Sequence, residues 1–371
     1  MVEWKKLGEI CEIGTGSNNR EDACEDGLYP FYVRSQDVLR IDSFLFDEEA
    51  ILIPGEGGVG DIFHYINGKY GLHQRTYRVH PISDSIIGKY IYYYLFANFK
   101  TYINQKSYKS TAASIRKPML TDFPICFPSL SEQQRIVEQL DTFTSSIENL
   151  KEQIAQRRKQ YEYYRDQLLD LEGKEGVEKK TCGEVCEVTD YVANGSFATL
   201  RENVSYRQEP DYAILVRTID LSNEFKGDKV YIDEKAYKFL SKSSLFGGEI
   251  IINNIGAGVG QTFRCPYLKE KMSLGPNSIL VRTPNNDFYY YWFNSIYGQN
   301  AMMKVVTPGA MPKFNKTGFK TITVPIPSLS EQQRIVSILD TFVASIRNLE
   351  QQLAQREKQY EYYRNKLLTF E

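Results

Sequence analysis

The ten residues PSLSEQQRIV stand at positions 128–137 and recur unchanged at positions 327–336. From each copy the likeness continues without a gap to residues 172 and 371, with 32 of 45 aligned residues identical. Convergence does not produce ten identical residues twice, so the chain of 371 residues contains an internal duplication. Weaker matches in the same order precede each motif: LGEICEI at 7–13 with CGEVCEV at 182–188, and YPFYVRSQDV at 29–38 with YAILVRTIDL at 212–221. The protein is therefore two copies of one plan, a divergent part followed by a nearly invariant tail.

Each repeated tail is predicted to form one long helix. A Ser-x-x-Gln sequence that fits a capping box stands at 131–134 and again at 330–333, just after a proline. Apolar residues then recur at alternating spacings of four and three, which is typical of a coiled-coil seam. Because one helix cannot bury its own apolar stripe, each tail is the natural partner of the other. Arg157 and Arg356 interrupt the seam at equivalent places, where they either set the register or contact a ligand.

The divergent parts are rich in short β-branched and aromatic runs bounded by Gly, Pro, Asn or Asp, which predicts strands. Two longer runs, at 86–105 and 286–304, predict amphipathic helices. If the two copies are related by an approximate two-fold axis, their tails run antiparallel. The predicted fold class is therefore α+β built twice, joined by an antiparallel intramolecular coiled coil, with an internal pseudo-two-fold repeat. The predicted boundaries are a first domain at 1–130, a long helix at 131–172, a polar linker at 173–181, a second domain at 182–329 and a second long helix at 330–371.

The composition is that of a folded, nearly neutral protein, with a net charge of -2 and a quarter of its residues charged. The chain contains no run of 18 apolar residues and begins without the apolar stretch of a signal peptide, so we expect a cytoplasmic protein that does not enter a membrane. Its six cysteines form no paired CxxC set. In CGEVC at 182–186, small buried residues are a better interpretation than metal ligands.

Catalytic and nucleotide-binding motifs fail on their context. GEGGVG at 55–60 satisfies GxGxxG, but a strand-like segment follows it, which favours a turn between strands over a pyrophosphate site. There is no GxxxxGK[ST] motif, no methyltransferase tetrapeptide and no zinc-binding spacing, and all three histidines lie in the first copy. We therefore expect no catalytic residue, metal site or cofactor site in this chain.

A charge asymmetry does occur twice. The window between Asp84 and Asp122 has no acidic residue, and its basic residues are Lys89, Lys100, Lys106, Lys109, Arg116 and Lys117. The window between Asp287 and Glu331 is also free of acidic residues and contains Lys304, Lys313, Lys316 and Lys320. Each window ends in a polar loop before the long helix, with a composition suited to phosphate contacts and some base reading. The alternative is a solvated basic face without a nucleic-acid partner.

This order of parts resembles the specificity subunit of Type I restriction-modification systems, and the resemblance covers the whole chain. Its carriers are the two PSLSEQQRIV motifs and their QYEYYR continuations at 160–165 and 359–364. The resemblance implies two target recognition domains, each reading one half of a bipartite, asymmetric duplex DNA sequence, with the helices fixing the unread spacer. It also implies a subunit without catalysis of its own. The implied partners are two modification subunits, which carry S-adenosylmethionine chemistry, and restriction subunits, which use ATP and Mg²⁺.

The resemblance also suggests residues for DNA contact. It places the polar loop before each long helix near DNA, through Ser110 and Thr111 in the first copy and Thr307 in the second. The shared YVRSQD and LVRTID segments add Arg34, Arg217 and Thr218, although structural ion pairs are the alternative for these arginines. Since Arg and Lys favour guanine while Asn and Gln favour adenine, the candidate base readers are Gln36, Gln105, Arg116, Lys313 and Asn315. The remaining candidates for DNA contact are the loop lysines Lys106, Lys109, Lys117 and Lys316.

Two other functions remain open at the level of sequence. The chain could be a coiled-coil scaffold whose divergent ends bind proteins, or the detached recognition part of a single-chain restriction-methylation enzyme. The two loops differ in sequence, so if they read DNA, we expect two different half-sites and a target that is not a palindrome.

Overall fold

A computed structural model describes residues 3–106 and 114–370 of the protein, with Lys106 described by its backbone alone. The chain divides into two compact units. Unit 1 comprises residues 1–152 and 350–371, and unit 2 comprises residues 153–349. In the described part of the chain, no helix is long and apolar enough to cross a membrane.

Unit 1 is an α+β domain around one large sheet. Its strands are β1 (Glu3–Lys6), β2 (Cys11–Thr15), β3 (Tyr29–Tyr32), β4 (Val38–Ile41), β5 (Phe46–Pro54), β6 (His64–Leu72), β7 (Thr76–Pro81) and β8 (Pro124–Phe127). Its helices are α1 (Leu7–Ile10), α2 (Gly88–Lys106), α3 (Lys117–Thr121), the first part of α4 (Leu130–Leu169) and the last part of α12 (Leu329–Leu368). Six strands pair in the order β2-β7-β5-β6-β3-β4, antiparallel except for β3 and β6, while β1 pairs with β8.

Successive side chains along β5 point to opposite faces of the sheet and therefore enter different cores. Ile51 and Ile53 join the core beneath α2, whereas Ala50 and Leu52 pack into a smaller cluster on the opposite face. All four are fully buried, since β5 lies in the middle of the sheet and both faces are covered.

Unit 2 repeats the plan with more, shorter elements. Its strands are β9 (Glu178–Thr181), β10 (Glu187–Asp190), β11 (Ala213–Val216), β12 (Tyr231–Ile232), β13 (Ser244–Leu245), β14 (Ile250–Asn253), β15 (Thr262–Arg264), β16 (Lys271–Leu274), β17 (Ser278–Arg282) and β18 (Thr323–Ile326). Its helices are α5 (Cys182–Val185), α6 (Phe197–Asn203), α7 (Thr218–Ser222), α8 (Glu234–Phe239), α9 (Asn286–Asn294), α10 (Ile296–Met303), α11 (Lys316–Lys320), the last part of α4 and the first part of α12 (Leu329–Leu368). The strands form two four-stranded sheets, β10-β17-β14-β15 and β12-β11-β16-β13, while β9 pairs with β18.

One strand of unit 1 is divided in two in unit 2. The parallel pair of β3 and β6 corresponds to the parallel pair of β11 and β16, but β6 has nine residues whereas β15 and β16 have three and four. Pro266 follows β15, and proline has no amide hydrogen to continue a ladder. The chain therefore leaves one sheet there and re-enters the other.

The predicted helix at 286–304 is interrupted, in contrast to α2 of unit 1. Ser295 ends α9 and caps α10, because its hydroxyl accepts a hydrogen bond from the amide of Gly298 at 3.3 Å. A Cβ atom on Gly298 would lie 2.1 Å from the Trp292 carbonyl oxygen, so only glycine permits this sharp turn. The expectation of one continuous helix here was wrong.

The two long helices are present, but the expected capping residue was wrong by two positions. The hydroxyl of Ser129, rather than that of Ser131, accepts from the Glu132 amide at 3.4 Å, and Ser328 repeats this with Glu331 at 3.2 Å. Helix α4 therefore begins at Leu130 and α12 at Leu329. Both helices contain 40 residues.

A buried glutamine explains part of the repeated motif. Gln133 is fully buried, and its amide accepts from the Ile87 amide at 3.0 Å while donating to the carbonyls of Ser85 and Pro128. Its counterpart Gln332 likewise donates to a proline carbonyl and accepts from an asparagine side chain. The motif thus fastens the start of each long helix to its own domain.

Within each unit, the start of one long helix runs antiparallel to the end of the other. In unit 1, Leu140 shares a core with Leu368, and Arg356 lies over the Phe143 ring at 5.8 Å, so position rises along α4 as it falls along α12. In unit 2, Leu339 shares a core with Leu169, and the Arg157 guanidinium lies 5.9 Å from the Phe342 ring. The antiparallel pairing is confirmed, and the two seam arginines pack on the partner helix.

Candidate nucleic-acid interface

The same backbone junction is built in both units. In unit 1, the turn between β5 and β6 meets the segment before α3, where the Ile115 amide donates to the Gly55 carbonyl at 2.7 Å. In unit 2, the turn between β14 and β15 meets the segment before α11, where the Phe314 amide donates to the Asn254 carbonyl at 3.1 Å. Both residues of one junction lie 199 positions from their counterparts in the other, which is the offset of the repeated motif.

The junction confirms GEGGVG as a connection between strands, since β5 and β6 are antiparallel neighbours. It also shows which residues of the two turns correspond. Gly55 corresponds to Asn254, and the isolated bridge of Glu56 with Ser114 corresponds to that of Ile255 with Lys313. An acidic side chain in unit 1 therefore takes the place of an apolar one in unit 2.

In unit 1, this acidic side chain, Glu56, accepts hydrogen bonds from two arginines. We call these two residues, Arg34 and Arg75, the arginine pair. The Nη1 atoms of Arg34 and Arg75 both donate to Glu56 Oε2, each at 2.8 Å. The hydrogen bond from Arg75, with a further one from Arg34, holds the pKa of the Glu56 carboxyl below its usual value. All three side chains are 37–56% exposed, so the group lies at the surface.

His73 supports the arginine pair from below. Its Nδ1 atom accepts a hydrogen bond from the Arg75 amide at 3.0 Å, which requires that this nitrogen carry no proton. Burial lowers the pKa of His73, and the charges of Arg34 and Arg75 lower it further. The imidazole is therefore neutral near pH 7 and fixes the backbone that carries Arg75.

The other predicted residues of unit 1 are distributed around this junction. Gln36 follows Arg34, and Arg116 and Lys117 follow Ile115; all three are exposed and, within the described residues, make no side-chain hydrogen bond or ion pair. Gln105 is exposed near the end of α2, and Lys106 is its last residue. Lys109, Ser110 and Thr111 lie outside the described residues.

In unit 2, the corresponding surface is a cleft of about 330 Å³. It brings together the predicted residues Thr307, Lys313 and Asn315. The loop between Thr307 and Lys313 is closed by two backbone hydrogen bonds of 2.7 and 3.3 Å, so both residues stand at a fixed edge. The remaining lining residues are Asp190, Tyr191, Val192, Phe197, Asn254, Ile255, Pro276, Asn277, Ser278 and Phe314.

Several predicted residues of unit 2 have structural partners. The Arg217 guanidinium donates to both carboxylate oxygens of Asp220, through Nε at 3.0 Å and Nη2 at 2.6 Å, and its Nη2 also donates to the Asp228 carbonyl. Thr218 is the first residue of α7. Asn315 Oδ1 accepts from the Gly318 amide and thereby caps α11, and Lys316 pairs with Asp190 at 3.1 Å. For Arg217, the geometry fits the structural alternative.

Sequence reasoning missed Glu56 and Arg75 in unit 1 and Asn254 and Asn277 in unit 2. Glu56 carried the strongest available signal, since it is a charged residue inside a glycine-rich turn. Arg75 lies between β6 and β7, two residues after His73, and its carbonyl accepts from the Gly55 amide as the Asn277 carbonyl accepts from the Asn254 amide. In the described part of the chain, no group of three or more His, Cys, Asp or Glu is placed to hold a metal ion.

Two domains with the same junction, each completed by paired long helices, define an internally duplicated α+β protein. Comparison with known proteins identifies the kind. The family model of the Type I restriction modification DNA specificity domain matches residues 1–157 and again residues 174–358. The chain belongs to this family, which confirms the resemblance drawn from the sequence.

Relatives of similar length carry the name of specificity subunits. The chain is 26% identical over 383 residues to the Type I restriction enzyme EcoDI specificity subunit of Escherichia coli, covering 95% of this chain and 84% of the relative. It is 25% identical to a putative type I restriction enzyme specificity subunit of Haemophilus influenzae, S.HindORF215P, covering 100% of this chain and 96% of the relative.

Solved structures share the fold. The S subunit of a Type I restriction-modification system from M. genitalium aligns with a TM-score of 0.63 at 17% identity, covering 100% of this chain and 97% of that one. A chain from a structural study of complex assembly and conformational transition of the type I R-M system aligns with a TM-score of 0.60 at 14% identity, covering 99% and 97%. The duplicated α+β fold with paired long helices is therefore confirmed.

Proposed function

We propose that this chain is the DNA-reading specificity subunit of a Type I restriction-modification complex. Each unit reads one half of a bipartite duplex sequence, and the paired helices fix the spacer between the halves. The observation that carries the proposal is the junction built twice at one offset, with Glu56 in unit 1 and Ile255 in unit 2 at the same position. The same scaffold with different side chains is what two different half-sites require.

The surface chemistry supports contact with DNA. Arg116 and Lys117 beside one junction, and Lys313 beside the other, are exposed cations on polar segments. Such residues supply the phosphate contacts that dominate affinity for duplex DNA. The chain as a whole has a net charge of -2, so the attraction is local to these surfaces.

We further propose that the chain acts without catalysis of its own, beside partner subunits in the cytoplasm. Two modification subunits dock on the paired helices and carry out S-adenosylmethionine chemistry, and restriction subunits supply the steps that need ATP and Mg²⁺. The family supports these partners, and the six free cysteines suit a reducing compartment.

The test is to select duplexes from a random library with the complex of this chain and a candidate modification subunit, at moderate salt. Recovery of a gapped, asymmetric motif is expected. Deleting one heptad from both long helices should then shorten the gap by about three base pairs, since seven helical residues span about 10 Å. A stable complex that selects no motif would contradict the proposal and favour a protein-binding scaffold.

A further inference from the structure

The arginine that follows β3 in unit 1 and the arginine that follows β11 in unit 2 differ in which of their N–H groups are already hydrogen-bonded. The Nε and Nη2 atoms of Arg217 donate hydrogen bonds to Asp220 and Asp228, so the donating edge formed by these two nitrogens is occupied. Arg34 donates to Glu56 through Nη1, and Arg75 does the same. Within the described residues, the edge formed by Nε and Nη2 is unoccupied in both members of the arginine pair.

An unoccupied edge of this kind has a specific use. Two parallel N–H groups of a guanidinium match the O6 and N7 acceptors of guanine in the major groove, which is the commonest specific contact between protein and DNA. They match a phosphate equally well, but phosphates are the same in every base sequence. A phosphate contact therefore does not require that the guanidinium be held in one orientation. The decisive feature is therefore whether the guanidinium is held in place.

Glu56 holds both guanidiniums in place with one oxygen atom. Long arginine side chains lose rotamer freedom when they bind, and a partner that orients them beforehand reduces this loss. A carboxylate at a DNA-facing surface also repels phosphates and weakens binding to every sequence. Glu56 therefore increases the selectivity of binding between base sequences and lowers the affinity for DNA in general.

We propose that Glu56 is a positioning residue that presents Arg34 and Arg75 as a rigid pair for reading guanine in the half-site bound by unit 1. The inference rests on the proposed function and names the chemistry of one half of the target. The second half is read differently, because Arg217 is fixed to Asp220 and the cleft of unit 2 presents amide side chains and Lys313 instead.

The experiment uses the complex of the full chain with its modification subunit and the motif that the wild-type complex selects. Affinity is measured for the selected duplex, for duplexes changed at each position, and for an unrelated duplex. We expect Glu56→Gln to lower discrimination by about tenfold at one or two G·C positions of a single half-site. Binding to the unrelated duplex should stay equal or become tighter, because a negative charge is removed.

The matched control is Glu12→Gln in the same unit. Glu12 also accepts from a guanidinium, that of Arg78, but Arg78 keeps two hydrogen bonds to Glu48. This variant should retain the wild-type preference at every position. Arg34→Lys and Arg75→Lys, which keep the charge but lose the fork, should each reduce the preference for guanine without affecting the other half-site.

Three results would overturn the inference while leaving the proposed function intact. The first is a selected motif with no G·C pair in the half-site whose recognition the unit 1 variants change. The second is a Glu56→Gln variant that loses affinity equally for all duplexes. The third is an unchanged base preference in both arginine variants. Failure of the wild-type complex to select any motif would instead contradict the proposed function, and the inference with it.

Discussion

The ring of Phe143 stacks on the ring of Tyr363, with centroids 5.3 Å apart and planes 23° from parallel. Phe342 and Tyr164 repeat this arrangement at 5.5 Å and 27°. The two phenylalanines are 199 positions apart, as are the two tyrosines, so the phenylalanine of each copy contacts the tyrosine of the other. One duplicated helix sequence therefore supplies both halves of two matching contacts.

The Phe143 and Tyr363 side chains should be energetically coupled. In a double-mutant cycle of alanine substitutions, we expect a coupling free energy of about 0.5–1.5 kcal/mol, the value typical of aromatic pairs. Urea denaturation of the four proteins measures it. The control cycle combines Phe143→Ala with Tyr164→Ala, which lies in the other unit and should be additive within about 0.5 kcal/mol. Equal coupling in both cycles would contradict the pairing.

A fragment of residues 173–371 should form a homodimer. Unit 2 is completed by residues 153–169, which this fragment lacks, but its own residues 350–368 carry the identical QYEYYR segment. A second copy can therefore supply the missing helix and bury the exposed seam. Sedimentation equilibrium measures the mass. Tyr363→Asp in the same fragment should weaken the dimer, and a monomer at all concentrations of the unchanged fragment would argue against the internal two-fold repeat.

Two neighbouring glutamines of the repeated motif should differ sharply in importance. Gln133→Ala leaves the half-buried Ile87 amide, the Ser85 carbonyl and the buried Pro128 carbonyl without their partner and should cost about 1–3 kcal/mol of unfolding free energy. Gln134→Ala removes only an exposed hydrogen bond to Glu138 and should change stability by less than about 0.5 kcal/mol. Thermal or urea denaturation compares them. Similar effects of the two changes would show that Gln133 does not fasten the helix.

Acid should destabilise unit 1 selectively. Burial lowers the pKa of His73 and of His64, and all three histidines of the chain are in unit 1. Above the unfolded value of about 6.5 both states are neutral, so these groups leave stability unchanged. As pH falls from there towards the lower folded pKa, the unfolded chain binds protons that the folded unit does not, and stability decreases.

Hydrogen exchange at about pH 7.5 and about pH 5.5, corrected for the intrinsic rate, measures this effect. Peptides of unit 1 should lose more protection than those of unit 2. His73→Asn should reduce the difference between the two pH values. A pH response of unit 1 that is unchanged in this variant would assign it to other groups, either His64 or the carboxylates.

Much of the fold could be predicted because its signals are local and repeated. The spacing of apolar residues from Ile136 onward predicts the paired helices, and the β-branched runs predict strands such as β5 and β14. The exceptions have local causes that a pattern does not weigh. Gly298 and Ser295 divide one predicted helix, and Ser129 caps α4 two positions before the expected residue.

The candidate site was less predictable, and the two strand-end arginines show why. Arg34 and Arg217 each have an aspartate three positions later, so their local sequences are alike. Arg217 pairs with its aspartate, Asp220, which lies in the short helix α7. Arg34 instead pairs with Glu56, 22 residues away, on a turn that only folding brings to it.

The sequence by itself determined the duplication, the pairing of the two long helices and the strand-rich character of both units, because periodicity and repetition are properties of neighbouring residues. Only the tertiary structure decided which cations are fixed and which are left available. That choice depends on the distance between side chains far apart in the chain, such as Arg75 and Glu56, and the free energy of a charged hydrogen bond depends on this distance and on burial.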